Sequence, residues 1–230
     1  MSSTESSDVD SNVISNVDSN VISNVISNVI NDSISNVITP ERAAKLDAVL
    51  GQRQPTLTIV LENVHDPHNI GAVVRSCDAT GVLNIHGVYS ENQPFPTLGG
   101  KSSASARKWV DVELHTHIHA CFTALRDRGF RIYTTHMSAD AQSIYDLDLT
   151  QPTAIVFGNE HDGVSDEALA AADGNVLIPQ RGIVQSLNIS VACAVTLFEA
   201  MRQRTAAGMY TKRQLTDEDY DRYRKDWYLR

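Results

Sequence analysis

Three stretches of the chain carry residue types at spacings that suit chemistry. In L-E-N-V-H-D-P-H-N-I-G-A-V-V-R-S-C-D, residues 61–78, Ile70, Val73, Val74 and Cys77 recur at i, i+3, i+4 and i+7, the stripe of a helix with one buried face. Arg75 falls on the far side of that stripe, and His68 projects within about 20° of it. A guanidinium and an imidazole thus leave the first turns of a helix together, although a solvated face would show the same pattern. In I-V-F-G-N-E-H-D-G-V-S, residues 155–165, an apolar run enters Gly158 and a polar turn with Glu160 and Gly163. Glycine at a strand end lets a ligand approach the backbone; a plain strand-to-helix connection is the simpler alternative. In I-P-Q-R-G-I-V-Q-S-L-N-I-S-V-A, residues 178–192, a strand over 175–178 stops at Pro179. A loop over 180–185 then leads to Ser186 as the expected N-cap of a helix over 187–204. Ser186 and Asn188 flank Leu187 and offer a hydroxyl and an amide beside free N–H groups; ordinary capping is the alternative. A loop meeting a helix N-terminus behind a buried strand is where open α/β sheets place ligands. No Gly-Lys-Ser/Thr follows the Gly158 turn, which is therefore not a phosphate loop, and no G-x-G-x-x-G occurs anywhere, so an ordinary dinucleotide site is disfavoured.

The elements that must position these groups alternate along the body. Helices are expected from Pro40 to about Leu50, after Asp66-Pro67 up to Gly81, over 118–128, after Ser165, and from Thr216 to near Trp227. Strands are expected over 57–61, 82–89, 109–112, 130–135 and 153–157. Such alternation implies an α/β fold, a mostly parallel sheet with helices on both faces. His115, His117 and His119 would share one face of a strand like metal ligands. They precede a helical pattern and lack a carboxylate partner set, so no metal is expected there.

Residues 11–38 repeat a four-residue S-N-V-I unit, a period that fits neither helix nor strand, so residues 1–38 read as a low-complexity tail. The body divides into an N-terminal helix (39–56), a main domain (57–206) and a C-terminal helical extension (207–230). The tail has five of the 28 acids and no base, leaving 23 acids against 19 bases in the body. Without a global basic field, RNA contact must use local clusters: Arg42, Lys45 and Arg53; Lys101, Arg107 and Lys108; Arg202, Arg204, Lys212 and Arg213. Each is also explained as solvated charge. Cys77, Cys121 and Cys193 form no C-x-x-C pair, and no basic-led apolar leader opens the chain. A reducing cytoplasm without disulfides or membrane attachment is expected.

Taken together, N-I-G-A-V-V-R-S-C-D-A-T-G, F-G-N-E-H-D-G-V-S and I-P-Q-R-G-I-V-Q-S-L-N-I-S-V-A resemble the three motifs of the SpoU/TrmH family of the SPOUT superfamily, over residues 39–230. The resemblance implies an S-adenosylmethionine-dependent RNA ribose 2′-O-methyltransferase, a C-terminal trefoil knot and a homodimer with its active sites near the subunit interface. It places Asn69, Arg75, Glu160, Ser186 and Asn188 at the family's functional positions. It places the cofactor against Thr135, Gly158, Ile178, Gly182 and Leu187. Gly71 stands where serine is usual, and His161-Asp162 in a turn often lysine-rich or aromatic, which bears on RNA contacts more than on catalysis.

Within the family, R-Q-P-T-L (53–57), the D-W near the C-terminus and the lack of a folded domain ahead of the first strand resemble the members that act on tRNA. That resemblance implies a tRNA guanosine, position 18 in the D-loop, as substrate. A ribosomal-RNA ribose methyltransferase and an inactive RNA-binding dimer of the same fold are the alternatives. The resemblance makes Arg75 the activating residue, yet a guanidinium resists deprotonation. Electrostatic stabilisation of the developing alkoxide is the physically cheaper role. His68, Arg42, Lys45, Arg53, Lys108, Arg202 and Arg204 are the expected RNA contacts, with no metal.

Overall fold

The computed structural model describes residues 38–90, 94–96, 106–138 and 140–230; Lys101 and residues 1–37 of the expected tail lie outside the described residues. Capping chemistry sets where most helices begin. Thr39 Oγ1 accepts from Arg42 N at 3.3 Å to open α1 (Pro40–Gly51), and Asp66 Oδ1 accepts from His68 N at 2.8 Å to open α2 (Pro67–Thr80). Gly81, at φ 82°, ends α2 in the left-handed region, where glycine has no Cβ penalty. Helix α3 (Ile118–Asp127) has no side-chain cap, whereas Ser165 caps α4 (Asp166–Ala171) and Thr216 caps α6 (Asp217–Tyr228).

Helix α5 (Ile189–Ala206) corrects the sequence reading. Its cap is Asn188 rather than Ser186, with Asn188 Oδ1 accepting from Ser190 N at 2.9 Å and Ser190 Oγ at 2.6 Å. Asparagine is as good a cap as serine, and capping two residues later leaves Ser186 and Leu187 in the loop.

Seven strands form one sheet: β1 (Leu57–Glu62), β2 (Asn84–Val88), β3 (Asp111–His115), β4 (Arg131–Thr135), β5 (Gln142–Ser143), β6 (Thr153–Phe157) and β7 (Gly174–Leu177). Their spatial order is β3-β2-β1-β6-β4-β7-β5, and every neighbouring pair is parallel. The central strands β1 and β6 are buried at every position, as a sheet covered on both faces requires. On one face Leu57, Ile59 and Leu61 pack with Ile70, Val73, Val74 and Cys77 of α2 and Cys193 and Leu197 of α5. On the other, Val60, Ala154 and Val156 meet Cys121, Phe122 and Leu125 of α3. Two details depart from expectation. Strand β3 starts at Asp111 and runs to His115, because Trp109 N closes a 3-10 turn onto Ala106 O. The two-residue β5 carries too little pattern to be read from sequence.

Two expected RNA-contact arginines are instead part of the core. Arg53 is fully buried; its guanidinium donates to Asp78 Oδ1 at 2.5 Å and to the carbonyls of Asp78 and Val82, and lies 5.0 Å from the Trp227 ring centroid. Arg204, also fully buried, donates to the carbonyls of Leu149, Thr56 and Gln151, to Gln54 Oε1 and to Thr56 Oγ1, between 2.8 and 3.2 Å. A buried planar cation is tolerated where its fixed fork of donors meets so many acceptors. Neither arginine is available to RNA.

Candidate active site

The three motifs converge at the carboxyl ends of the central strands. Strand β6 delivers Gly158 into a tight turn: Asn159 N donates to Gly163 O and Gly163 N to Asn159 O, both at 3.1 Å. Asn159 Oδ1 accepts from His161 N at 2.8 Å and Asp162 N at 2.7 Å, the local side-chain-to-backbone bonding by which asparagine favours turns. A Cβ on Gly158 would lie 1.9 Å from the Gly163 backbone, so only glycine closes this turn. Glu62, buried at the end of β1, then accepts from Ser165 N at 2.9 Å and Ser165 Oγ at 2.6 Å, fixing where the turn enters α4.

Across this turn stands Asn69 in the first turn of α2. Its Nδ2 donates to Glu160 Oε1 at 2.7 Å, and its Oδ1 accepts from Asn188 Nδ2 at 3.1 Å. Asn188 thus caps α5 with its oxygen and reaches Asn69 with its nitrogen. A carboxylate and two amides, drawn from chain positions 91 and 119 residues away from Asn69, are locked into one line of hydrogen bonds.

Two cavities meet along the 159–162 turn. The larger, about 970 Å³, is lined by Thr135, Gly158, Glu160, Ile178, Gly182, Ser186, Leu187 and Asn188 among others, with Ile144, Phe157 and Ile189 giving an apolar floor. The smaller, about 520 Å³, lies among His65, Asp66, Asn69, Glu160 and Asp162. The larger volume suits a nucleoside-sized ligand. Thr135 keeps its hydroxyl on Val156 O at 2.9 Å, so it shapes the wall rather than offering a free donor. Beside the smaller cavity, Tyr89 donates to Val64 O at 2.7 Å, and desolvation, with Glu160 contributing, raises its phenol pKa above the ordinary value.

His68 and Arg75 are both exposed on α2, and neither lines either cavity among the described residues. Of the expected RNA contacts, Arg42 and Lys45 are exposed on α1 and Lys108 on the 3-10 turn. Arg202 is exposed but forms a two-pronged ion pair with Glu199 at 2.8 and 2.9 Å. Sequence reasoning passed over Asn159, which organises the turn, and Gln180, which lines the large cavity with a buried Oε1 that meets no partner among the described residues. The asparagine flanked by turn glycines was a usable signal; nothing local marked Gln180.

An open parallel sheet with a polar cluster and a ligand-sized cavity at its strand ends defines an α/β enzyme of the ligand-binding, doubly covered class. Residues 56–198 match the model of the SpoU rRNA Methylase family, and the chain belongs to that family. It is 48% identical over 189 residues to a tRNA (guanosine(18)-2′-O)-methyltransferase of Thermus thermophilus, covering 82% of this chain and 96% of that protein. A crystal structure of an A. aeolicus TrmH/SpoU tRNA modifying enzyme superposes with TM-score 0.77 at 36% identity, covering 82% of this chain and 95% of that one. The SpoU methyltransferase AviRb from Streptomyces viridochromogenes, in complex with AdoMet, gives TM-score 0.59 at 25% identity over 68% of this chain and 59% of its own.

Proposed function

We propose that the chain transfers a methyl group from S-adenosylmethionine to the ribose 2′-hydroxyl of guanosine 18 in tRNA. One observation carries the reading: the Glu160–Asn69–Asn188 line of hydrogen bonds, with Asn69 in the middle, at the junction of two cavities, in a chain that aligns with 96% of a tRNA (guanosine(18)-2′-O)-methyltransferase. The larger cavity suits S-adenosylmethionine. Its apolar floor fits an adenine and a methionine chain, and the unpartnered Gln180 Oε1 offers an acceptor for an N–H of the ligand. Thr135, Gly158, Ile178, Gly182 and Leu187 would hold it. The bound cofactor supplies an electrophilic methyl on a positively charged sulfur.

We place the acceptor ribose in the smaller cavity, where Glu160 accepts a hydrogen bond from the attacking hydroxyl, so aims its oxygen, and receives its proton as the oxygen–carbon bond forms and the carbon–sulfur bond breaks. Asn69, itself held by Asn188, keeps Glu160 from swinging away. Arg75, a permanent cation exposed on α2 outside both cavities of its own protomer, would reach the acceptor ribose of the partner in the proposed homodimer and stabilise the alkoxide as it develops rather than take its proton. Ser186 borders the cofactor's cavity as a hydroxyl on the loop.

The same reading includes a trefoil knot in the C-terminal segment, supported by β7 lying between β4 and β5, two strands that precede it in the chain. It includes a homodimer, supported by the exposed apolar side chains Ile183, Val184, Val191 and Phe198 on and after the cofactor loop, a patch a monomer seldom leaves to water. We assign residues 57–206 to the catalytic unit. Helices α1 and α6, joined by Leu50, Leu215 and Trp227 and by the Arg224–Asp47 ion pair at 2.9 Å, form an appendage whose Arg42 and Lys45 would meet tRNA phosphates. Among the described residues no helix is long and apolar enough to cross a membrane; with three free, buried cysteines, the reading is a cytoplasmic enzyme.

The test is methyl transfer from labelled S-adenosylmethionine to tRNA transcripts and to ribosomal RNA, with nucleoside mapping. Label at guanosine 18, lost when that base is replaced, is expected. Label on ribosomal RNA alone would replace the substrate, and RNA binding without label would make the chain an inactive RNA-binding dimer.

A further inference from the structure

His86 is the buried polar side chain that the site does not use. It lies in the middle of β2, fully buried, with Val60 of β1 as register partner, so it points to the face that α3 covers. Its Nδ1 is 3.0 Å from His115 Nε2, the two rings stack at 5.3 Å and 26°, and its Nε2 meets no partner among the described residues. Cys121, fully buried on α3, completes a triangle in which one donor atom of each residue lies within 4.8 Å of the others. Glu113 on β3, the register partner of His86, brings its carboxylate oxygens to 3.6 Å from His86 Nδ1 and 3.5 Å from His115 Nε2.

A mere histidine pair would account for the contact of His86 Nδ1 with His115 Nε2 but not for the Cys121 thiol and the Glu113 carboxylate gathered beside it. Adjacent donors of a tetrahedral zinc site stand roughly 3.3–3.6 Å apart; His86 Nδ1, His115 Nε2 and the Glu113 oxygens are separated by 3.0, 3.5 and 3.6 Å, and the Cys121 sulfur lies within 4.8 Å of a nitrogen of each imidazole. We propose that His86, His115 and Cys121, with Glu113 as fourth ligand, bind one divalent transition-metal ion of the zinc type. A thiolate with two imidazoles favours such an ion over magnesium or calcium. The ion would staple α3 to β2 and β3 at the free edge of the sheet. It reaches the site past His115 and Glu113, whose side chains are 10% and 48% exposed. Burial keeps His86 in the neutral, ligating form, its pKa lowered to about 3. Cys121, whose thiol pKa burial pushes up to about 12, releases its proton to solvent as the metal–sulfur bond forms, so affinity rises with pH. Of the His115–His119 run only His115 takes part; His117 precedes α3 and His119 pairs with Glu167 at 3.0 Å.

The test is titration of the chelator-treated full chain with Co²⁺. A near-ultraviolet thiolate-to-cobalt band and the visible bands of a tetrahedral site, saturating at one equivalent and displaced by Zn²⁺, are expected, with a higher Tm in Zn²⁺. Cys121→Ser should abolish the near-ultraviolet band, and the surface change Glu113→Gln should weaken binding about ten-fold. Wild-type protein that shows no thiolate band at saturating Co²⁺ overturns the proposal, whatever the variants do. So does a band that survives Cys121→Ser.

Discussion

Asn69→Ala removes both hydrogen bonds that tie Glu160 to the α5 cap. The 2.7 Å bond runs to a carboxylate, a kind worth about 1.5–3 kcal/mol when desolvated. Glu160 is exposed, so about 1–2 kcal/mol is the fitting range. The 3.1 Å amide–amide bond adds about 0.5–1 kcal/mol. If this energy aims the acceptor hydroxyl, its loss raises the barrier by about 1.5–3 kcal/mol, a roughly 10- to 100-fold fall in kcat/KM. Stability is expected to change little, because Asn69 sits in the first turn of α2 and alanine is a better helix former. Asn69→Asp is the sharper probe. It keeps an acceptor for Asn188 but turns the donor facing Glu160 into a like charge, and should be slower than Asn69→Ala. Single-turnover methyl transfer, with S-adenosylmethionine affinity measured by calorimetry, reads both. Asn69→Ala with more than half of wild-type kcat/KM, or Asn69→Asp faster than Asn69→Ala, would refute the reasoning.

Gly158→Ala drives a Cβ to 1.9 Å from the Gly163 backbone, so the turn carrying Glu160 must shift by about 1.5 Å, and turnover is expected to fall about 100-fold; near-normal turnover would show that the turn relaxes without consequence. Arg75→Lys should keep a measurable fraction of single-turnover rate and Arg75→Ala almost none, as expected of a charge that stabilises an alkoxide; equal activity of the two would exclude that role. Phe198→Glu on the exposed α5 face should shift the chain to monomer in sedimentation velocity; an unchanged species would move the interface elsewhere. Arg204→Met should lower stability by about 3–5 kcal/mol and Tm by about 6–20 °C, while the salt slope of tRNA binding, measured where the protein is folded, stays the same; a reduced slope with unchanged Tm would restore the phosphate-contact role.

What the sequence made legible was local. Proline, glycine and capping side chains punctuate the chain, so Thr39-Pro40, Asp66-Pro67, Ser165 and Thr216 marked helix starts that the structure keeps. Glu160, Ser186, Asn188 and the expected cofactor contacts gather around the larger cavity because β6, β4 and β7 are consecutive in a parallel sheet, whereas Asn69 lies at the smaller cavity and Arg75 and His68 at neither. Contacts between distant segments were not legible: the Asn69–Glu160 and Asn69–Asn188 bonds span 91 and 119 residues, and each amide taken alone is an ordinary turn or cap residue. The same limit hid the His86–His115–Cys121 cluster, where ending β3 at Val112 removed His115 from the strand and so from the face it shares with β2. Basic residues were misjudged in the opposite way. Arg53 and Arg204 have the letters of phosphate ligands, and only their burial against carbonyl acceptors separates them from Arg42 and Lys45.

Helix α5 shows why that distinction reaches the chemistry. It is 18 residues long, about 27 Å, and is held at both ends. At one end Asn188 caps it and hydrogen-bonds Asn69; near the other Arg204 is gripped by acceptors on four residues, Gln54 and Thr56 in one segment and Leu149 and Gln151 in another. Between them Cys193 and Leu197 pack into the core beside Cys77. A helix in a close-packed interior transmits a displacement along its length rather than absorbing it. The anchor at Arg204 therefore sets the axial position of Asn188, and an error of 1 Å at a reacting centre can cost about 100-fold. On this argument Arg204 is expected to act on methyl transfer by positioning, not by contact. In Arg204→Met, kcat should fall while tRNA affinity holds, the reverse of what the loss of a phosphate contact would do.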